Sequence, residues 1–125
     1  SYAPLLKKIF EKVGRDKING IIHCTGGGQT KILHFVDNLH IMKNNLFETP
    51  PIFKLIMNES NTDPKEMYKV FNMGHRMEIY IHQNYALDII EISNSVGIDA
   101  KIIGEVLKSD KKKLSIQSEL GNFEY

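Results

Sequence analysis

Cysteine is nearly missing from this chain. One residue, Cys24, stands among 125, so no disulfide can close within the chain, and a reducing compartment suits it. Long apolar runs are missing as well. No stretch approaches the ~20 consecutive apolar residues of a membrane-spanning helix, and no signal peptide is expected, since the given sequence opens on an amphipathic pattern. Charge of one sign is not in excess: 16 Lys and Arg against 15 Asp and Glu leave a net charge of +1. That balance gives no strong field toward nucleic acid or a membrane surface, and it disfavours an RNA-binding α/β module, which needs a basic face with exposed aromatics. Internal repeats and low-complexity segments are absent. The densest basic stretch, Lys108 with Lys111, Lys112 and Lys113, reads as a solvated turn before a strand. The expected setting is cytoplasmic, with no nucleic-acid and no membrane partner. What remains is the composition of a soluble globular protein, with enough chain for a real core. Ser1 in place of an initiator methionine suggests a fragment.

Periodicity then places the elements. Leu5, Leu6, Ile9, Phe10 and Val13 recur at helical spacing after Pro4, and Gly14 stops that helix. Ile21 and Ile22 begin a strand. A short helix is expected from about Lys31 to Val36, a strand from His40 to Lys43, and a helix opened by Pro51. Asp63-Pro64-Lys65-Glu66 is the clearest local signal: Asp63 caps, Pro64 fits the first helical position and Glu66 completes a capping box. Met67, Val70 and Phe71 are expected to face the core. Met77, Ile79 and Ile81 alternate with Glu78, Tyr80 and His82, which predicts a strand with one buried face. Asn84 to Val96 returns to helical spacing through Ala86, Ile89 and Ile90, with Gly97 as its stop. Lys101 to Leu107 reads as a strand in which Gly104 marks a bulge or a close contact. Leu114 and Ile116 belong to a last strand, and Ser118 to Tyr125 carries no pattern. The expected fold is a mixed α/β (α+β) domain of about five strands and five helices, one mixed sheet flanked by helices.

The stretch that organises the chain is Ile22-His23-Cys24-Thr25-Gly26-Gly27-Gly28. A strand ends, three glycines follow, and a helix begins. Glycines let backbone N–H groups approach an anion closely, Thr25 adds a hydroxyl, and a helix start adds positive potential. The pattern is neither the dinucleotide G-x-G-x-x-G nor a P-loop, and a tightly packed turn is the alternative. Cys24 beside it invites a nucleophile, but no base stands at recognisable spacing, so a buried small side chain is expected. His34, His40, His75 and His82 show no metal-ligand spacing and are expected at surface or partly buried positions; no metal site is expected.

Two further stretches complete a resemblance: Pro50-Pro51-Ile52-Phe53-Lys54-Leu55-Ile56 and Glu66-Met67-Tyr68-Lys69-Val70-Phe71-Asn72-Met73-Gly74. In this order and spacing, with the late Ile102-Ile103-Gly104-Glu105-Val106, they resemble the C-terminal domain of phosphoribosylformylglycinamidine cyclo-ligase, also called aminoimidazole ribonucleotide synthetase. The resemblance covers nearly the whole chain and implies a single domain over residues 1–125. It implies an ATP-dependent ligase of purine biosynthesis, which activates the formyl oxygen of formylglycinamidine ribonucleotide and closes the imidazole ring. ATP and Mg2+ would be bound mainly by an N-terminal domain absent here. That domain would also form the homodimer of the full-length enzyme, and the fragment alone would be inactive.

Carried onto this chain, the resemblance assigns Thr25, Gly26, Gly27 and Gly28 to the substrate's ribose phosphate. His23 would exchange a proton with the reacting amidine, or hold the glycine loop by a hydrogen bond. Asn72 and Gly74 match the F-N-x-G turn and would bind substrate or shape the cleft floor. Family members commonly continue that turn with a small or aliphatic residue, then Gly and Met; here His75-Arg76-Met77 follows. Arg76 could bind a phosphate bidentately, with a surface salt bridge as the default. The alternatives are a stand-alone phospholigand-binding module, and a domain of a related synthetase or kinase of the selenophosphate synthetase or thiamine-monophosphate kinase type.

Overall fold

The computed structural model describes residues 2–125. Among them are four α-helices, α1 (Ala3–Lys12), α2 (Pro51–Ser60), α3 (Pro64–Val70) and α4 (Ala86–Ser95). Six strands accompany them: β1 (Ile18–His23), β2 (Leu39–Lys43), β3 (Met77–Ile81), β4 (Gly104–Lys108), β5 (Lys113–Ser118) and β6 (Gly121–Glu124). The strands form two sheets rather than the single one expected. β1 pairs with β3, and the other four run in the order β4-β2-β5-β6. β2 is parallel to β5 and antiparallel to β4, and β5 is antiparallel to β6, so the larger sheet is mixed. The chain divides into two compact units, one built from residues up to Ile21 and Ile79–Ile102, the other from Ile22–Glu78 and Ile103–Tyr125.

The first unit is a helix pair. Pro4 lies in the first turn of α1, and Leu5 and Ile9 fall one turn apart on its buried face. They pack with Ile89 and Ile92 of α4, and Ile79, Ile81, Val96 and Ile98 close around that cluster. Ile92 was not expected in the core, and Ile90, which was, is only half-buried. The helix ends where Gly97 takes φ 75°.

The second unit carries the larger sheet. Leu114, Ser115 and Ile116 of β5 are all buried, and this strand is flanked on both edges. Gly104 explains itself in the pairing of β4 with β2: a Cβ there would run into the Met42 carbonyl. Asp63 caps α3 by accepting from the Lys65 N–H at 3.0 Å, although Glu66 returns no bond to it. The face of α3 differs from expectation. Met67 and Tyr68 are buried, whereas Val70 is 49% exposed. The cause is that α3 stops at Val70, with Phe71 already extended. The tail without pattern contains β6, whose register is set by β5 (Ile116 opposite Phe123) rather than by any alternation of its own. α2 buries no residue fully.

Chemical denaturation should separate two local effects. Asp63→Ala is expected to cost about 1 kcal/mol, the usual value of an N-cap. Gly104→Ala should cost more, since β4 must part from β2 to admit a methyl group.

Candidate functional site

Every residue assigned to binding falls in the second unit. Strand β1 ends at His23, and the chain turns at once: the Thr25 N–H donates to the His23 carbonyl at 2.8 Å. Thr25 and Gly26 are exposed and Gly27 is half-buried. Gly27 takes φ 93° and Gly28 φ 49°, both left-handed. Gly28 is also buried against backbone: a Cβ there would meet the Phe71 carbonyl oxygen and come within 2.7 Å of that of Tyr68. The turn therefore serves two purposes, with Gly28 packed and Gly26 open.

Among the described residues, the N–H groups of Gly26, Gly27 and Gly28 donate to no carbonyl. Gly27 does use its own carbonyl, which accepts from the Thr30 N–H at 3.2 Å and the Thr30 hydroxyl at 3.0 Å. The helix that follows differs from expectation. It is a 3-10 helix over Gly28–His34, and Phe35 beyond it is 66% exposed. Positive charge is nonetheless supplied nearby: Lys31 Nζ donates to the His23 carbonyl at 2.9 Å and its stem lies 3.6 Å from a Cβ built on Gly27. The exposed His23 ring makes no hydrogen bond among the described residues. The loop is held by its carbonyl instead.

The second turn is held from inside. Asn72 Oδ1 accepts from the Gly74 N–H at 2.8 Å, and its carbonyl accepts from the His75 N–H at 3.0 Å and from Gln29 Nε2 at 2.7 Å. Between them Met73 takes φ 53°, a conformation costly for a bulky side chain. Gly74 takes φ 92°, and a Cβ there would come within 2.8 Å of Pro50 Cγ. Arg76 gives its carbonyl to the Cys24 N–H at 2.8 Å, which places it beside the glycine turn. The expected salt bridge is not formed: the exposed Arg76 guanidinium has no acidic partner among the described residues.

Sequence reasoning missed the buried groups. Glu78, expected on the open face of β3, is the strand's one buried residue. Its carboxylate meets Lys43 Nζ at 2.7 Å, with side-chain exposures of 4% and 2%. Lys43 also donates to the Gln29 carbonyl at 2.9 Å and Gln29 Oε1 at 2.8 Å. The Cys24 thiol donates to Glu78 Oε1 at 3.3 Å. Burial first, then the Glu78 charge, push that thiol up to about 12, so it is no nucleophile. His75 is 4% exposed, not a surface group. Its Nε2 accepts from the Phe47 N–H at 3.0 Å, which leaves the proton on Nδ1. Nδ1 makes no well-aligned hydrogen bond, although the nearby Met73 and Asn72 carbonyls favour its charged form. Burial, reinforced by Lys43, wins and lowers its pKa below 6.5. Among the described residues no group of three or more His, Cys, Asp or Glu could hold a metal ion. Among the described residues no helix is long and apolar enough to cross a membrane.

These features define a class first: a mixed α/β domain in which a strand runs through a glycine turn with unengaged amides into a short helix. Residues 3–117 match the family described as AIR synthase related protein, C-terminal domain, and the chain belongs to that family. Curated relatives carry the name phosphoribosylformylglycinamidine cyclo-ligase. That of Methanococcus vannielii is 37% identical over 101 residues, covering 81% of this chain and 29% of the relative. That of Syntrophus aciditrophicus is 33% identical over 120 residues, covering 89% and 33%. The chain thus spans about a third of the length of the curated relatives it matches. Among solved structures it is similar to Escherichia coli HypE, a hydrogenase maturation protein, with TM-score 0.64 and 19% identity over 90% of this chain and 35% of that one. That likeness shows the fold.

Two outcomes follow from the titrating groups. Native Cys24 should resist alkylation by iodoacetamide at neutral pH and react on unfolding, as read by mass spectrometry. The fold favours neutral His75, so its contribution is whole above pH 6.5 and is lost as pH falls below that value toward the depressed folded pKa. His75→Gln, which keeps an acceptor for Phe47, should flatten the fall in denaturation midpoint between about pH 7 and pH 5.

Proposed function

We propose that this chain is the C-terminal part of an ATP-dependent cyclo-ligase of purine biosynthesis, and that its glycine turn binds the ribose phosphate of formylglycinamidine ribonucleotide. The observation that carries the ligand assignment is the set of unengaged amides at Gly26, Gly27 and Gly28 in a chain whose relatives are named as cyclo-ligases. Thr25 adds a free hydroxyl, Lys31 a cation, and the unpaired Arg76 a second one at the same end of β1. Two cations and bare amides suit a dianionic phosphate. The exposed His23 ring stands next to this turn and exchanges the proton that ring closure requires. Asn72 and Gly74 act on the substrate through the shape of their turn, since Asn72 spends its oxygens on the protein itself.

ATP supplies the leaving phosphate that drives ring closure, and it and Mg2+ would be held by parts of a longer protein outside these residues. The homodimer belongs to that longer protein, and this chain alone does not turn over ATP. The stand-alone module and the selenophosphate synthetase or thiamine-monophosphate kinase type have no comparable support, because these curated relatives carry the cyclo-ligase name.

Gly26 gives the cleanest test. A Cβ built there meets nothing within 4 Å, and its φ is not positive, so Gly26→Val should fold normally. In the protein joined to its ATP-binding part, this variant should raise KM for formylglycinamidine ribonucleotide about tenfold or more with little change in kcat. Unaltered KM would remove the anion role.

A further inference from the structure

The best-buried charges of the second unit lie outside every residue assigned to binding. Lys43 and Glu78 form a 2.7 Å ion pair inside the protein. Such a pair is not explained by stability, because well-packed apolar residues of similar volume often serve as well or better. What charged partners add is direction. All three donors of Lys43 find acceptors: Glu78 Oε2, the Gln29 carbonyl and Gln29 Oε1. Gln29 is fully buried and directly follows Gly28. Its Nε2 donates in turn to the Asn72 carbonyl at 2.7 Å. One ammonium therefore fixes the end of the glycine turn through the main chain and the Asn72–Gly74 turn through an amide. Both turns contain left-handed residues, Gly28 at φ 49° and Met73 at φ 53°. Glycine adopts that region freely, but for Met73 it persists only where the surroundings over-determine it. The carboxylate end is anchored too, since Glu78 Oε1 accepts from Cys24, two residues before Gly26. The network thus grips the glycine turn from both sides.

We propose that the Lys43–Glu78 pair, acting through Gln29 and Cys24, positions the Gly26–Gly28 amides and couples them to the Asn72–Gly74 turn. Lys43 and Glu78 are positioning residues and touch no ligand. The claim rests on the anion-binding reading of the turn, and the following experiment separates the two.

Lys43→Met, Glu78→Leu and the double variant are compared by urea denaturation and by amide resonances of Gly26, Gly27, Gly28 and Gly74 during titration with inorganic phosphate. Lys43→Met alone should lower the midpoint sharply, because it leaves Glu78 charged and buried. The double variant should recover the midpoint, yet show displaced glycine resonances and about fivefold or more weaker phosphate binding. A double variant with native resonances and native affinity would overturn the proposal. Should the double variant fail to fold, Gln29→Met leaves the ion pair in place and cuts the amide link from Lys43 to Asn72, and must still displace the Gly28 and Gly74 resonances; unmoved resonances would overturn the proposal equally. If the unaltered protein ignores phosphate, the anion reading falls, and the resonance positions alone decide the positioning claim.

Discussion

An ammonium and a carboxylate held away from water constrain everything around them. Neither Lys43 nor Glu78 can be moved without leaving the other charge buried and unpaired, so the two side chains are fixed with respect to each other. Gln29 and Cys24 satisfy what the pair leaves over: Cys24 opens the bend that follows β1, and Gln29 lies in the first turn of the 3-10 helix beyond it. The bend inherits its position from the pair. This is why a run of three glycines, the least restrained sequence a chain can have, is a defined surface in this protein.

The outline of the fold was legible wherever a local signal is self-sufficient. Pro4, the Asp63-Pro64 pair and Gly97 punctuate helices by chemistry that acts within one turn, and the structure follows them. Gly104 was legible as either a bulge or a close contact, and the structure shows the close contact. What stayed hidden depends on partners far along the chain. β6 has no alternation to read and exists because β5 offers it an edge. Val70 was placed inside by periodicity, which assumes a helix longer than the one that forms.

The site shows the same division. The glycine turn, Thr25 and His23 could be singled out from types and order, and the turn's amides donate to no carbonyl among the described residues. The buried network could not. An alternating strand puts Glu78 with Tyr80 and His82, and nothing near it in sequence announces Lys43. A buried His75 was equally invisible, because its burial comes from Phe47 and the Asn72 turn rather than from its neighbours in the chain. The only available signal was indirect: a lysine closing an apolar strand and a glutamate inside another are charges that must find each other if both are enclosed.

The mixed sheet also dictates an order of events. β2 is made before both of the strands that flank it, β4 and β5. On the ribosome, β2 must wait with two bare edges until β4 and β5 have emerged, and pairings this distant in sequence form slowly. The interval leaves an apolar strand open to neighbouring chains, so the yield of native protein will be governed by how long nascent β2 stays unaccompanied, a matter for chaperones rather than for the finished fold.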